Sequence, residues 1–170
     1  LIILIMFSAF FSSCETAFST VNIIRLKNYV DEKKKGARKA LYLAEKFDVT
    51  LITLLVGNNL VNIGATTIAA YIFGKLIVEP TIANIFNTVI MTIIVLIFGE
   101  ITPKTVATIN SEKLSLVYAY PIHFIMTILT PISIVINMLA RVIFFILRVD
   151  PNAKPDAITE EELRTIVDVS

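Results

Sequence analysis

Charge is missing from long stretches of this chain, and that distribution constrains its fold more than any other feature. Val49 to Gly74 and Pro80 to Gly99 contain no Asp, Glu, Lys or Arg, and Leu1 to Cys14 is a third uncharged run that continues as apolar sequence past Glu15 to Ile24. A charge at mid-bilayer costs about 2.5 to 3.5 kcal/mol on insertion scales, so such runs mark where helices can be centred in lipid. About 20 residues rising 1.5 Å each are enough to cross a hydrocarbon layer of roughly 30 Å. With 56% hydrophobic and 17% charged residues and a mean hydropathy of +0.80, the composition excludes disorder and fits poorly with a soluble globule. The expected fold is an all-α membrane protein, with spans at about residues 1–24, 49–75 and 80–101 inside a transmembrane domain of residues 1–148.

Lys and Arg set the expected orientation. Arg25, Lys27, Lys33, Lys34, Lys35, Arg38, Lys39 and Lys46 lie between the first two spans, against Lys75 alone between the second and third. By the positive-inside rule the basic link is cytoplasmic, which puts the N-terminus outside a multi-pass cell-membrane protein. Within that link Ala37, Ala40, Leu41, Ala44 and Phe47 recur at helical spacing, so the segment Lys33 to Asp48 is expected to lie as an amphipathic helix against the inner leaflet.

Leu114 to Leu147 holds one charge, Arg141, and is too long for a single crossing. Pro121 and Pro131 interrupt it, and each removes a helical hydrogen bond. The expectation is a re-entrant or juxtamembrane helical hairpin over residues 113–147, joined near Thr130 and Pro131, which returns the chain to the cytoplasm. Pro151 to Pro155 then reads as a linker within residues 149–170. Thr159 and Glu162 form a capping box that opens a cytosolic acidic helical region. Because the chain starts in an apolar run and stops in that acidic pattern, it reads as a piece of a longer protein.

Several function classes are excluded as expectations. A net charge of +1 gives no basic stripe for nucleic acid. The single cysteine, Cys14, makes neither an internal disulfide nor a zinc cluster. No nucleophile is set beside a base and no glycine-rich phosphate loop is present, so no enzyme is expected.

Polar residues inside the spans carry the positive signal, since intramembrane ionisable groups are functional candidates by default. Ser8, Ser12, Glu15, Ser19 and Asn22 recur at steps of four, three, four and three, with Ser13, Thr16 and Thr20 widening the stripe. Asn58, Asn59 and Asn62 follow Gly57 at mid-span, and buried amides in hydrocarbon need partners. The third span closes on Gly99-Glu100-Ile101-Thr102-Pro103-Lys104. Pro103 has no N–H, so the Gly99 carbonyl loses its helical donor, and Glu100 sets a carboxylate beside it. Alternatively, Glu100 simply pairs with Lys104 at the end of the span. Together these groups supply carboxylate, carbonyl, amide and hydroxyl oxygens, the ligands of hard cations such as Mg²⁺ and Ca²⁺.

The segments Ser8 to Ala17, Gly57-Asn58-Asn59 and Gly99 to Lys104, in that order, resemble the transmembrane domain of the CorC/cyclin M (CNNM) magnesium transporters. The tail Ile158 to Leu163 is similar to the start of the linker to that family's paired CBS domains, which lie beyond this chain. The resemblance implies a homodimer with three spanning helices and a juxtamembrane belt per protomer, and an inward-facing cavity for a largely dehydrated Mg²⁺. It also implies Na⁺-coupled Mg²⁺ export regulated by ATP at the CBS pair. Carried over, the Mg²⁺ ligands are Ser8, Ser12 or Ser13, Asn58 or Asn59, the Gly99 carbonyl and Glu100. Glu15, Asn62, Thr102, Pro103 and Lys104 have a supporting or coupling-ion role. The competing reading is a membrane-anchored Mg²⁺ sensor that regulates another transporter.

Overall fold

The computed structural model describes residues 1–147, and every described element is helical. The helices are α1 (Ile2–Thr20), α2 (Ile23–Asp31), α3 (Ala37–Glu45), α4 (Phe47–Leu76), α5 (Pro80–Ile94), a π-helical segment (Val95–Ile101), α6 (Thr102–Ile109) and α7 (Ser111–Leu147). Four stretches are long and apolar enough to cross a membrane: Ile2–Thr20, Phe47–Leu76, Pro80–Ile109 and Ser111–Ile132. Large side chains such as Leu60, Ile63, Tyr71, Phe98 and Phe124 are exposed on them. Water would not tolerate so much contiguous apolar surface, whereas lipid tails solvate it. The linker and capping box expected at Pro151 to Pro155 and at Thr159 and Glu162 lie outside the described residues.

The chain divides into two compact units, Leu1–Ser133 and Ile134–Ser170. In the first, α1 is the central element and packs against α4, the π segment and α6. Leu4 lies against Gly64, and Phe11 against Gly57, so α1 and α4 run antiparallel. Ser8 meets Gly99 and Glu15 meets Lys104, so α1 runs parallel to the third span. The main core joins Phe11, Cys14 and Phe18 of α1 to Leu26, Leu43, Leu54 and Ile122, and a smaller core joins Ala65, Ala69 and Met91. The second unit is described as far as Leu147, as the end of α7.

Three expectations are corrected. The first helix stops at Thr20, short of Ile24, because Val21 is extended and Asn22 caps α2. The Asn22 Oδ1 accepts from the Ile24 and Arg25 amides at 2.9 and 3.2 Å, so this residue leaves the polar stripe. The apolar face of α3 is turned into the protein core: Ala37, Ala40, Leu43 and Ala44 are all buried. Gly36, at φ +86°, starts that helix with its backbone pressed on the Leu116 carbonyl, an approach and a conformation that a side chain would forbid. Finally, α7 has no break at Thr130 and Pro131, and both prolines lie inside one helix. Each proline frees only the carbonyl four residues before it, that of Val117 or Thr127, and membrane helices tolerate such a local loss.

Candidate functional site

The third span changes its winding where the sequence places Gly99 and Pro103. Over Val95–Ile101 the helix widens to a π turn, and the Thr102 amide donates to the Ile97 carbonyl five residues back. A proline ring clashes with the carbonyl four residues before it, here that of Gly99, and a locally wider turn relieves that clash. Such π segments are frequent at functional sites.

This widened turn lies directly against α1. A Cβ built on Gly99 would stand 2.7 Å from the Ser8 Oγ and 3.3 Å from the Ser8 Cβ, so glycine allows this approach with the Ser8 hydroxyl left in place. Ser8 is fully buried and donates to the Asn58 Oδ1 of α4 at 3.1 Å. Ser8, Asn58 and Gly99 are therefore three oxygen-bearing positions brought together from three elements. Gly57, one residue before Asn58, allows the same closeness on its side: its Cβ would meet the buried Phe11 ring at 2.5 Å.

The remaining expected ligands divide. Ser12, one turn along α1, is fully buried and its hydroxyl has no hydrogen-bond partner among the described residues. The Ser13 hydroxyl lies 3.0 Å from the Tyr118 hydroxyl of α7 and is occupied there. Asn58 is half-buried at the junction, whereas Asn59 is exposed on a different face of α4. Glu100 is half-buried and forms no ion pair among the described residues. The alternative pairing of Glu100 with Lys104 is not the one adopted, since the Lys104 Nζ sits 3.3 Å from the Glu15 Oε1 instead. Thr102 is exposed and Pro103 half-buried at the start of α6.

Asn62 faces elsewhere. With Thr66 of α4 and Asn87, Thr92 and Val95 of the third span it lines a cavity of about 320 Å³, in which the Oδ1 atoms of Asn62 and Asn87 both lack partners among the described residues. Asn87 was not among the expected residues. An amide inside an otherwise apolar run, five residues before Thr92, is the signal that could have found it. Among the described residues no three His, Cys, Asp or Glu side chains cluster, so any ion held by α1, α4 and the π segment is held mostly by neutral oxygens and one carboxylate. Hydroxyl, amide and carbonyl groups with a carboxylate form a hard donor set, suited to Mg²⁺ or Ca²⁺ rather than to a soft metal.

Comparison with known proteins shows the family of this chain. The chain is 36% identical over 167 residues to a UPF0053 protein of Haemophilus influenzae, covering 98% of this chain and 39% of that one. It is 31% identical over 165 residues to the UPF0053 inner membrane protein YfjD of Escherichia coli, covering 94% and 37%. A chloroplastic DUF21 domain-containing protein of Arabidopsis thaliana is 32% identical over 174 residues, covering 98% and 25%. The chain thus spans less than half the length of these relatives. The profile described as the cyclin M transmembrane N-terminal domain matches residues 1–170. This multi-pass membrane chain belongs to the cyclin M (CNNM) transmembrane domain family.

Proposed function

We propose that the domain binds a largely dehydrated Mg²⁺ between α1, α4 and the π segment and moves it across the bilayer, with Na⁺ entry driving export. One observation carries the reading: the Ser8 Oγ and Asn58 Oδ1 stand 3.1 Å apart against the bare backbone of Gly99. Octahedral Mg²⁺ with ligands at 2.0–2.1 Å has neighbouring oxygens about 2.9 Å apart, so the pair is spaced as two adjacent ligands would be. Ser12 and Glu100, which among the described residues have respectively no hydrogen-bond partner for the hydroxyl and no ion pair for the charge, supply further oxygens. Because Mg²⁺ surrenders its water reluctantly, the site has to offer several ligands at once.

In this reading the side of the membrane carrying α2 and α3 is cytoplasmic, by its Lys and Arg excess, so the N-terminus is outside and α7 starts on the cytoplasmic side. The exposed amide of Asn59 on α4, costly against lipid, fits a second copy of the chain covering that face in a homodimer. ATP-binding CBS domains further along the protein would regulate transport.

The test is flux in proteoliposomes together with ion-dependent stability of the full-length protein. Wild type should move Mg²⁺ when a Na⁺ gradient is imposed, and Glu100→Gln should lose both the flux and the rise in melting temperature with Mg²⁺. Unchanged Mg²⁺ stabilisation in Glu100→Gln would overturn the site, and binding without flux would make the domain a sensor instead.

A further inference from the structure

The geometry points to a binding site for the headgroup of an anionic phospholipid in the turn between α2 and α3, a site independent of the ion pathway. A cavity of about 390 Å³ is lined there by Lys33, Lys34, Lys35, Arg38, Lys39 and Tyr120. Lys34 is neutralised by Glu32 at 2.8 Å and rests over the Tyr29 ring. Lys33, Lys35, Arg38 and Lys39 form no ion pair among the described residues, although Asp31 and Glu32 are close in sequence. Lys39 lies over the Tyr120 ring, which fixes its ammonium at the rim.

The backbone adds donors to this concentration of cations. Gly36 opens α3 in the left-handed conformation with no side-chain cap, and the first turn holds no acid. The amides of Arg38 and Lys39 have no hydrogen-bond partner among the described residues. Amide donors at a helix start and several cations around one cavity suit a phosphate group.

A second cavity decides between a lipid and a soluble phosphate. It shares Lys35 and Tyr120 with the first and continues along Leu116 and Val117 of α7, where Val117 is exposed. These residues belong to the first turns of an apolar stretch long enough to span the bilayer, Ser111–Ile132. A cationic cavity that opens into an apolar groove at the edge of a membrane span matches an amphiphile, phosphate in the first and acyl chain along the second. Lysine stems and a tyrosine ring at this boundary are the side chains that favour the interface.

The site is tested with the full-length protein in nanodiscs of phosphatidylcholine doped with phosphatidylglycerol, with retained lipid counted by native mass spectrometry. Wild type should retain phosphatidylglycerol over phosphatidylcholine. Each basic residue near an anionic surface contributes about fivefold, so Lys33→Gln/Lys35→Gln/Arg38→Gln should lower retention at least tenfold. Val117→Asp, which spoils only the groove, should lower it as well. Lys27→Gln/Lys46→Gln, basic positions outside the cavity, should retain as wild type does, and all variants should keep the Mg²⁺-dependent rise in melting temperature. Retention unchanged in the triple variant, or lost equally in the Lys27/Lys46 control, would overturn the site. Displacement of phosphatidylglycerol by inorganic phosphate would assign the cavity to a soluble anion and overturn the lipid.

Discussion

Lys104 reaches from α6 to Glu15 on α1, Nζ to Oε1 at 3.3 Å, and so leaves Glu100, one turn back, without a cation among the described residues. The pair is partly exposed, with side chains 40% and 25% accessible, so in stability it is worth about 0.2 to 1 kcal/mol. Its larger effect is on charge placement. In Glu15→Gln the ammonium is released to the carboxylate one turn back, Glu100, where it competes with Mg²⁺. An ion pair of about 1.4 kcal/mol would raise the Mg²⁺ midpoint tenfold. Lys104→Met should leave that midpoint unchanged or lower it, so melting temperatures titrated with Mg²⁺ separate the two variants. Equal midpoints in Glu15→Gln and wild type would mean that Lys104 plays no such part.

Both glycines at the junction are predicted to resist substitution, for different reasons. Gly99→Ala places its methyl 2.7 Å from the Ser8 Oγ, a hydroxyl that can rotate away, and 3.3 Å from the Ser8 Cβ, which has to give slightly. Rotation breaks the Ser8 to Asn58 hydrogen bond, so stability should fall by about 1 kcal/mol, while Mg²⁺ stabilisation should disappear. Ser8→Ala/Gly99→Ala should recover part of the stability and none of the ion response. Gly57→Ala instead drives a methyl to 2.5 Å from the ring of Phe11, which is only 6% exposed. Such overpacking costs about 1 to 3 kcal/mol, and Phe11→Leu should relieve it. Thermal unfolding with and without Mg²⁺ reads both effects.

What the sequence disclosed was governed by which forces are local. Uncharged runs reveal spans because desolvation acts on each residue wherever the chain goes, and Val49 to Gly74 lies within α4 for that reason. Pro103 revealed a disturbed helix because its missing N–H is a covalent fact, but the form the disturbance takes, a wide π winding set against Ser8, is not a local property. Asn22 matched the spacing of a polar stripe, and nothing in polarity alone says that Val21 turns extended and makes Asn22 a cap. The amphipathic face of α3 was legible and its destination was not, since a membrane surface and a protein core select the same pattern. Pro131 was read by its intrinsic cost, which its surroundings in α7 override. At the site, the motif could not choose between Ser12 and Ser13 or between Asn58 and Asn59, because that choice depends on which face meets a neighbour.

Acid should act on the far end of the bundle through Glu79, which caps α5. Its carboxylate accepts from the Ile82 amide at 2.7 Å and the Thr81 amide at 3.2 Å, and these bonds, that to Ile82 foremost, hold its carboxyl below the ordinary 4.5. A depressed folded pKa means that the cap contributes fully above the unfolded value and is lost as pH falls through the folded one. Amide-exchange protection at Thr81 and Ile82 should therefore be constant at neutral pH and decline as pH drops below 4.5. In Glu79→Gln the protection should be lower at neutral pH and should lose this acid dependence. Protection that is acid-independent in wild type would show that the carboxylate is not the cap in solution.

The neighbours Ser12 and Ser13 offer the sharpest separation of stability from ion binding. The Ser13 hydroxyl is bonded to Tyr118 at 3.0 Å, so Ser13→Ala removes one partner of a hydrogen bond and should cost about 1 kcal/mol. Tyr118→Phe should cost about the same, and neither should alter the Mg²⁺ midpoint. Among the described residues the buried Ser12 hydroxyl has nothing to bond, a state that itself costs about 1 to 3 kcal/mol. Ser12→Ala should therefore leave the ion-free protein as stable as wild type or more so. If that hydroxyl is reserved for the ion, the same variant should lose much of its stabilisation by Mg²⁺. Melting curves with and without Mg²⁺ for the three variants decide the assignment, and a Ser12→Ala protein that keeps the full Mg²⁺ response would remove Ser12 from the site.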